Sequence, residues 1–253
     1  MKQPYNKYAQ SMLNILSGRL FVVYLGLIIF NISSSLQANT LTADDMSKDT
    51  PNDTDYPCMI ILGASYAKGW DIEQLYGCRH IQNEGIDGNQ SFEMAQRFQQ
   101  DVLDHQPRYV LLWGFINDIF RSNPEKMEST LQRIRDSYLE MIKLSRAHQI
   151  SPILATEVTI REPAGIKNAA MKLIGDLLGK TSYQSMINDH VMQTNTWIRQ
   201  LAAEENIPLL DFETLLAEPD GRRGKVYSKD DGSHITGEAY RVITDYARQQ
   251  LNP

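Results

Sequence analysis

From Tyr56 onward, short apolar runs alternate with longer stretches in which apolar residues recur every three or four positions. The short runs predict strands at 58–62, 79–83, 109–113, 153–160 and 207–212. The periodic stretches predict helices at 65–76, 91–105, 124–149, 191–206 and 236–251. The clearest is 124–149, where Met127, Leu131, Ile134, Tyr138, Met141 and Leu144 share one face and Pro124 stands at the first turn. Strand–helix alternation of this kind predicts an α/β fold with a parallel sheet and helices on both faces. Ligands of such sheets bind at the carboxyl ends of the strands. One segment, 161–190, exceeds the minimal alternation. Its apolar stripe of Ala170, Met171, Leu173, Ile174, Leu177 and Leu178 suits either a helix packed on the sheet or a cover over the cleft.

The chain before Tyr56 has a different pattern. Residues 1–38 hold Lys2, Lys7 and Arg19 as their only charges, then an apolar run from Leu20 to Ile32, then small and polar residues. This is the order of a secretory signal, with a cut after Ala38. An uncleaved membrane anchor is the rival, although a spanning helix needs about 20 apolar residues. Residues 39–55 are polar and read as a flexible linker. The folded domain is expected to occupy 56–253, outside the cytoplasm, secreted or periplasmic, and to touch membrane through the N-terminal segment if that is retained.

Charge narrows the partners. The 253 residues carry a formal charge of −6, which becomes −9 when 1–38 are removed with their three basic groups. An acidic surface argues against nucleic acid and anionic membrane, and leaves neutral esters open. Oligomeric state is not legible. The two cysteines, Cys58 and Cys78, lack the companions a zinc site needs. Beside an export signal they fit a disulfide or a pair of small buried thiols.

Four sites carry candidate chemistry. Ser65 follows the first strand in GASYA and opens a helix, where a serine can cap the helix or act as a nucleophile beside free backbone N–H groups. Ala67 stands where the G-x-S-x-G nucleophile elbow has its last glycine, so that elbow is not supported. Asp231 and His234 are three apart in a glycine-containing turn. A carboxylate there can hold His Nδ1 and leave Nε2 free as a base. Their bland reading is a solvated turn. Gly88 in GIDGN is a turn glycine whose N–H can point into a site. Asn117 follows the third strand as an Asx-turn residue or an amide donor to an oxyanion. The GKTS at 179–182 is no phosphate loop, because Ile174 stands where such a loop needs glycine.

In their order and spacing these motifs resemble the SGNH hydrolases, the GDSL-type esterase and lipase family. IILGASY resembles its first block, with Ser65 as the serine. Gly88 matches the second-block glycine, Asn117 the third-block asparagine, and Asp231 with His234 the final D-x-x-H. The resemblance spans 58–250. The chain departs from it twice. Ala64 replaces the usual Asp before the serine, and Gly114-Phe115-Ile116-Asn117 has one residue more than the family's G-x-N-D.

The resemblance implies a three-layer α/β/α sandwich on a five-stranded parallel sheet. It implies ester hydrolysis with no metal or other cofactor. Ser65, Asp231 and His234 would form the triad, with the Ser65 and Gly88 N–H groups and the Asn117 amide as the oxyanion hole. An acyltransferase acting on an exported glycan, or a silent envelope binding protein, are the alternatives. In the family's strand order the first two strands are neighbours, about 4.8 Å apart, which suits a Cys58–Cys78 bridge.

Overall fold

The computed structural model describes residues 56–161, 182–219 and 221–251. The expected signal 1–38, the linker 39–55 and the apolar stripe within 161–190 lie outside the described residues.

The strands are β1 (Met59–Gly63), β2 (Ile81–Gly85), β3 (Tyr109–Trp113), β4 (Ser151–Ala155) and β5 (Leu209–Leu210). They form one five-stranded sheet in the order β2-β1-β3-β4-β5, all pairs parallel. The fold class is therefore the expected one. β1 is MIILG, buried throughout, as a central parallel strand covered on both faces must be. β2 is IQNEG, half exposed and polar, which suits an edge. The chain runs from β1 out to β2 and then back across β1 to β3. β1 and β3 therefore flank a topological switch point, where a crevice opens at the carboxyl ends.

The described helices are α1 (Ser65–Lys68), α2 (Ser91–Gln96), α3 (Phe98–Asp101), α4 (Ile116–Phe120), α5 (Met127–Ala147), α6 (Tyr183–Glu204), α7 (Phe212–Leu216) and α8 (Gly237–Leu251). α5 buries the predicted face, with Met127, Leu131, Ile134, Tyr138 and Met141 all inside. Two aromatic clusters mark the two helical layers. Phe115, Tyr138 and Trp197 pack together where α5 and α6 lie. Trp70, Trp113, Phe212 and Tyr246 pack together where α7 and α8 lie.

Four predicted elements come out clearly shorter, each for a visible reason. The strand expected over 207–212 is only Leu209–Leu210, because Asp211 caps the helix that starts at Phe212. The helix expected over 65–76 stops after one turn at Gly69. Trp70 leaves it to pack on Phe212, and its indole N–H donates to Thr244 Oγ1 at 2.9 Å. The helix expected over 91–105 breaks at Arg97. The Arg97 guanidinium turns inward, ion-pairs with Asp101, and donates to the carbonyls of Gly63 (3.1 Å) and Glu84 (2.8 Å). It thereby ties the ends of β1 and β2. The strand expected over 153–160 pairs as sheet only to Ala155, because β5 is two residues long.

Beyond Ala155, two asparagines of α6 stand in for the missing strand. Glu157 N–H donates to Asn195 Oδ1 at 2.9 Å, and Asn195 Nδ2 donates back to Glu157 O at 2.7 Å. Asn188 does the same for Ile160, with both bonds at 2.8 Å. The two asparagines are seven residues apart, two turns on one helix face. α6 begins at Tyr183 rather than near 191, with Ser182 Oγ accepting from Ser185 N–H at 3.0 Å as its cap.

Cys58 and Cys78 are disulfide-bonded, with Cα atoms 5.4 Å apart. The bridge joins the amino ends of β1 and β2. The loop it closes holds β1 and α1.

Candidate active site

Ser65 is the first residue of α1, directly beyond the end of β1. Its helix is capped by Ala64 with no side-chain bond, so Ser65 is not spent on capping. The turn is tight because Gly63 lies against β3. A Cβ on Gly63 would sit 2.2 Å from Trp113 O, so no other residue fits there. Ser65 is partly exposed, and among the described residues its hydroxyl has no hydrogen-bond partner. That leaves the oxygen available at the mouth of the switch point.

Asp231 and His234 pair as their spacing predicts. His234 Nδ1 lies 2.8 Å from Asp231 Oδ2. Asp231 Oδ1 accepts the N–H groups of Ser233 and His234, both at 2.8 Å. Burial alone would raise the Asp231 pKa. The His234 and Ser233 bonds outweigh it and hold the carboxyl well below the usual carboxylate range. The carboxylate is thus a fixed anion that selects the Nδ1–H tautomer and leaves Nε2 free. The pair is open to solvent, with side chains 50% and 48% exposed for His234 and Asp231.

No described hydrogen bond joins Ser65 Oγ to His234. The two turns are joined by their neighbours. Tyr66 hydroxyl donates to Ser233 O, one residue from each partner. Arg223, 2% exposed, reinforces this clamp. Its guanidinium donates to Gly232 O at 2.5 Å, Ser233 O at 3.1 Å, Ser228 Oγ at 3.0 Å and Tyr66 Oη at 3.4 Å. Burial pushes the Tyr66 hydroxyl up to about 12, so it stays a donor at any physiological pH.

The expected oxyanion donors lie at the ends of β2 and β3. Gly88 has φ of +73°, in the region that favours glycine, in the loop that follows β2. Asn117 is the second residue of α4 and is partly exposed. One Asn117 amide N–H donates to Asn89 O at 3.1 Å, so the Gly88 and Asn117 loops are tied together. Asp118 next to it is fully buried. It accepts from Ser91 N–H at 2.6 Å and Ser91 Oγ at 3.0 Å, which binds α4 to the start of α2. Burial raises the Asp118 pKa to about 6.

A second buried acid stands behind this loop. Glu157 Oε1 accepts the N–H of Phe115 at 2.8 Å and of Ile116 at 3.4 Å. Burial raises its pKa to about 7. Glu157, Tyr66 and Arg223 were not among the sequence candidates. A lone acid inside the apolar run ILATEVTI was the available signal for Glu157. Arg223 sits in the charged stretch EPDGRRGK and gives no sign of burial. Among the described residues no cluster of three or more His, Cys, Asp or Glu could hold a metal ion, and no helix is long and apolar enough to cross a membrane.

The sequence profile of the GDSL-like lipase/acylhydrolase family matches residues 63–242. The uncharacterized lipoprotein YqeF of Bacillus subtilis is 28% identical over 181 residues, covering 64% of this chain and 70% of its own length. The Escherichia coli protein thioesterase 1/protease 1/lysophospholipase L1 is 25% identical over 209 residues, covering 77% and 83%. Among solved structures, a GDSL-like lipase from Bacteroides thetaiotaomicron superposes with a TM-score of 0.58 at 18% identity, covering 82% of this chain and 93% of the other. An acetylxylan esterase from Geobacillus stearothermophilus gives 0.58 at 15% identity, covering 77% and 94%.

Proposed function

Because this chain belongs to the GDSL-like lipase/acylhydrolase family, we propose that it is an exported serine hydrolase that cleaves carboxylic esters or thioesters through an acyl-enzyme on Ser65. The observation that carries this reading is the Asp231–His234 pair, with its carboxylate fixed by two backbone N–H groups and its Nε2 left free.

Ser65 Oγ attacks the acyl carbonyl carbon as its proton passes to His234 Nε2. The carbonyl π electrons move onto oxygen, and the Ser65 and Gly88 N–H groups with the Asn117 amide receive that oxyanion. Asp231 holds the imidazolium. The tetrahedral intermediate collapses, and His234 gives its proton to the departing alkoxide or thiolate. Water then repeats the cycle on the acyl-enzyme and releases the acid. The substrate class is an acyl ester of a small molecule, glycan or lipid. The half-exposed dyad favours hydrolysis over acyl transfer, since a transferase must keep water from the acyl-enzyme.

The test is turnover of short- and long-chain p-nitrophenyl esters by the wild-type chain and by Ser65→Ala. The variant is expected to lose ester turnover with an unchanged circular dichroism melt, because Ser65 lies at a strand end and outside the core. Wild-type turnover in Ser65→Ala would remove the mechanism.

A further inference from the structure

The loop that delivers Asn117 has an unusual foundation. Gly114 N–H donates to Tyr138 hydroxyl at 3.2 Å, and Phe115 and Ile116 N–H donate to Glu157 Oε1. Three successive amides before Asn117 thus end on side chains, one from α5 and one from the segment after β4. α4 has no side-chain cap of its own, with Phe115 in the capping position. The first N–H groups of a helix need acceptors. Glu157 supplies one from 41 and 42 residues away along the chain.

Glu157 is itself held rigidly. Its backbone N–H and C=O are both taken by the Asn195 amide, and Asn195 Nδ2 also donates to Glu213 Oε2 at 2.7 Å. The side chain is fully buried, and among the described residues Oε2 has no hydrogen-bond partner. A buried carboxyl with a vacant oxygen costs stability. Packing alone does not explain why one stands here. Its placement does. The loop Gly114-Phe115-Ile116-Asn117 has one residue more than the G-x-N-D pattern, and the amides of the two residues between glycine and asparagine are the two that Glu157 receives.

We propose that Glu157 is a positioning residue that braces this lengthened loop and aims the Asn117 amide at the oxyanion. This rests on the reading of Asn117 as an oxyanion donor. Glu157 touches neither substrate nor reacting atoms. It acts through Asn117 alone, so its effect must vanish when the Asn117 amide is gone.

That requirement is a double-mutant cycle on the full chain, with p-nitrophenyl acetate as substrate. Asn117→Ala is expected to lower kcat by roughly 10²–10³, as loss of one oxyanion donor does. Glu157→Leu keeps bulk and removes the acceptor. It is expected to lower kcat about tenfold or more with KM within about twofold, as for a group felt only in the transition state. In the Asn117→Ala background it is expected to lower kcat by no more than about twofold. Glu157→Gln keeps Oε1 and is expected to stay within about threefold of wild type. If Glu157→Leu fails to fold by circular dichroism, Glu157→Asp replaces it, since it draws the acceptor back by one methylene.

Equal loss of kcat from the Glu157 variant in both backgrounds, or no loss in either, overturns the proposal and leaves the Asn117 reading intact. Wild-type kcat in Asn117→Ala overturns the oxyanion reading, and the brace with it.

Discussion

Arg223 shows how a single side chain can hold a site it never enters. Among the described residues its buried guanidinium has no carboxylate partner and donates to two carbonyls and two hydroxyls. A buried cation in such a setting costs stability unless every donor direction is used. Replacing it takes one of two donors from each carbonyl, since Gly232 O keeps the Arg161 N–H at 2.9 Å and Ser233 O keeps the Tyr66 hydroxyl. Arg223→Met is therefore expected to destabilise the domain by about 1–3 kcal/mol, through the loss of hydrogen bonds from a charged donor, measured by urea denaturation. In the fraction that stays folded, kcat is expected to fall about tenfold or more with KM little changed, because the turn bearing His234 loosens against the turn bearing Ser65. An unaltered kcat in folded Arg223→Met protein would show that the Tyr66 bond suffices. The residues legible in the sequence are those whose partners are close along the chain, as Asp231 and His234 are. Arg223 reaches Tyr66 across 157 residues and Tyr66 reaches Ser233 across 167. No local pattern records such a pair.

At the scale of elements, apolar runs were the most readable. β3 spans the expected 109–113, and β1 is shifted by one residue. The errors fall where a polar side chain does the work of a neighbouring element. Arg97 breaks a helix to tie two strand ends, and Asn188 with Asn195 extends the line of β4 where no strand is present. Periodicity reports which face is buried, and it does not report a backbone group satisfied by a distant amide. The buried acids that anchor α4 give this element a pH signature. Burial raises Glu157 from an ordinary value near 4.5 to about 7, and Asp118 from 3.8 to about 6. Between these values the unfolded carboxyls have ionised while the folded ones keep their protons. The folded state then binds more protons, so its stability falls as pH rises from about 4.5 to 7 and levels off above that. At roughly 1.4 kcal/mol per pKa unit, Glu157 contributes on the order of 3 kcal/mol to this fall. Unfolding free energies at pH 5 and pH 8 check it. Glu157→Gln, which cannot ionise, is expected to remove about half of the difference, with Asp118 supplying the rest, and an unchanged slope would mean that Glu157 does not titrate in this range.

In the whole molecule, the residues expected to act sit on four loops at one edge of the sheet, and the Cys58–Cys78 bridge lies at the opposite ends of β1 and β2. That topology was legible because strand and helix runs alternate in a fold with few alternatives. The way the loops are knotted together at the carboxyl edge was not, since it depends on single buried groups. The bridge spans 20 residues, and closing a loop of that length contributes about 3 kcal/mol through the unfolded chain. For a domain of this size that corresponds to roughly 6–12 °C in Tm. Heating the chain with and without dithiothreitol measures it, and an unmoved Tm would mean that the bond adds nothing to the fold. The larger consequence concerns timing. A chain still bathed in glutathione lacks its staple, and the segment left loose is the one that contains Ser65. If the chain is exported and Ser65 is its nucleophile, as proposed above, that serine is held least firmly before export and most firmly once oxidation outside the cytoplasm has closed the bridge.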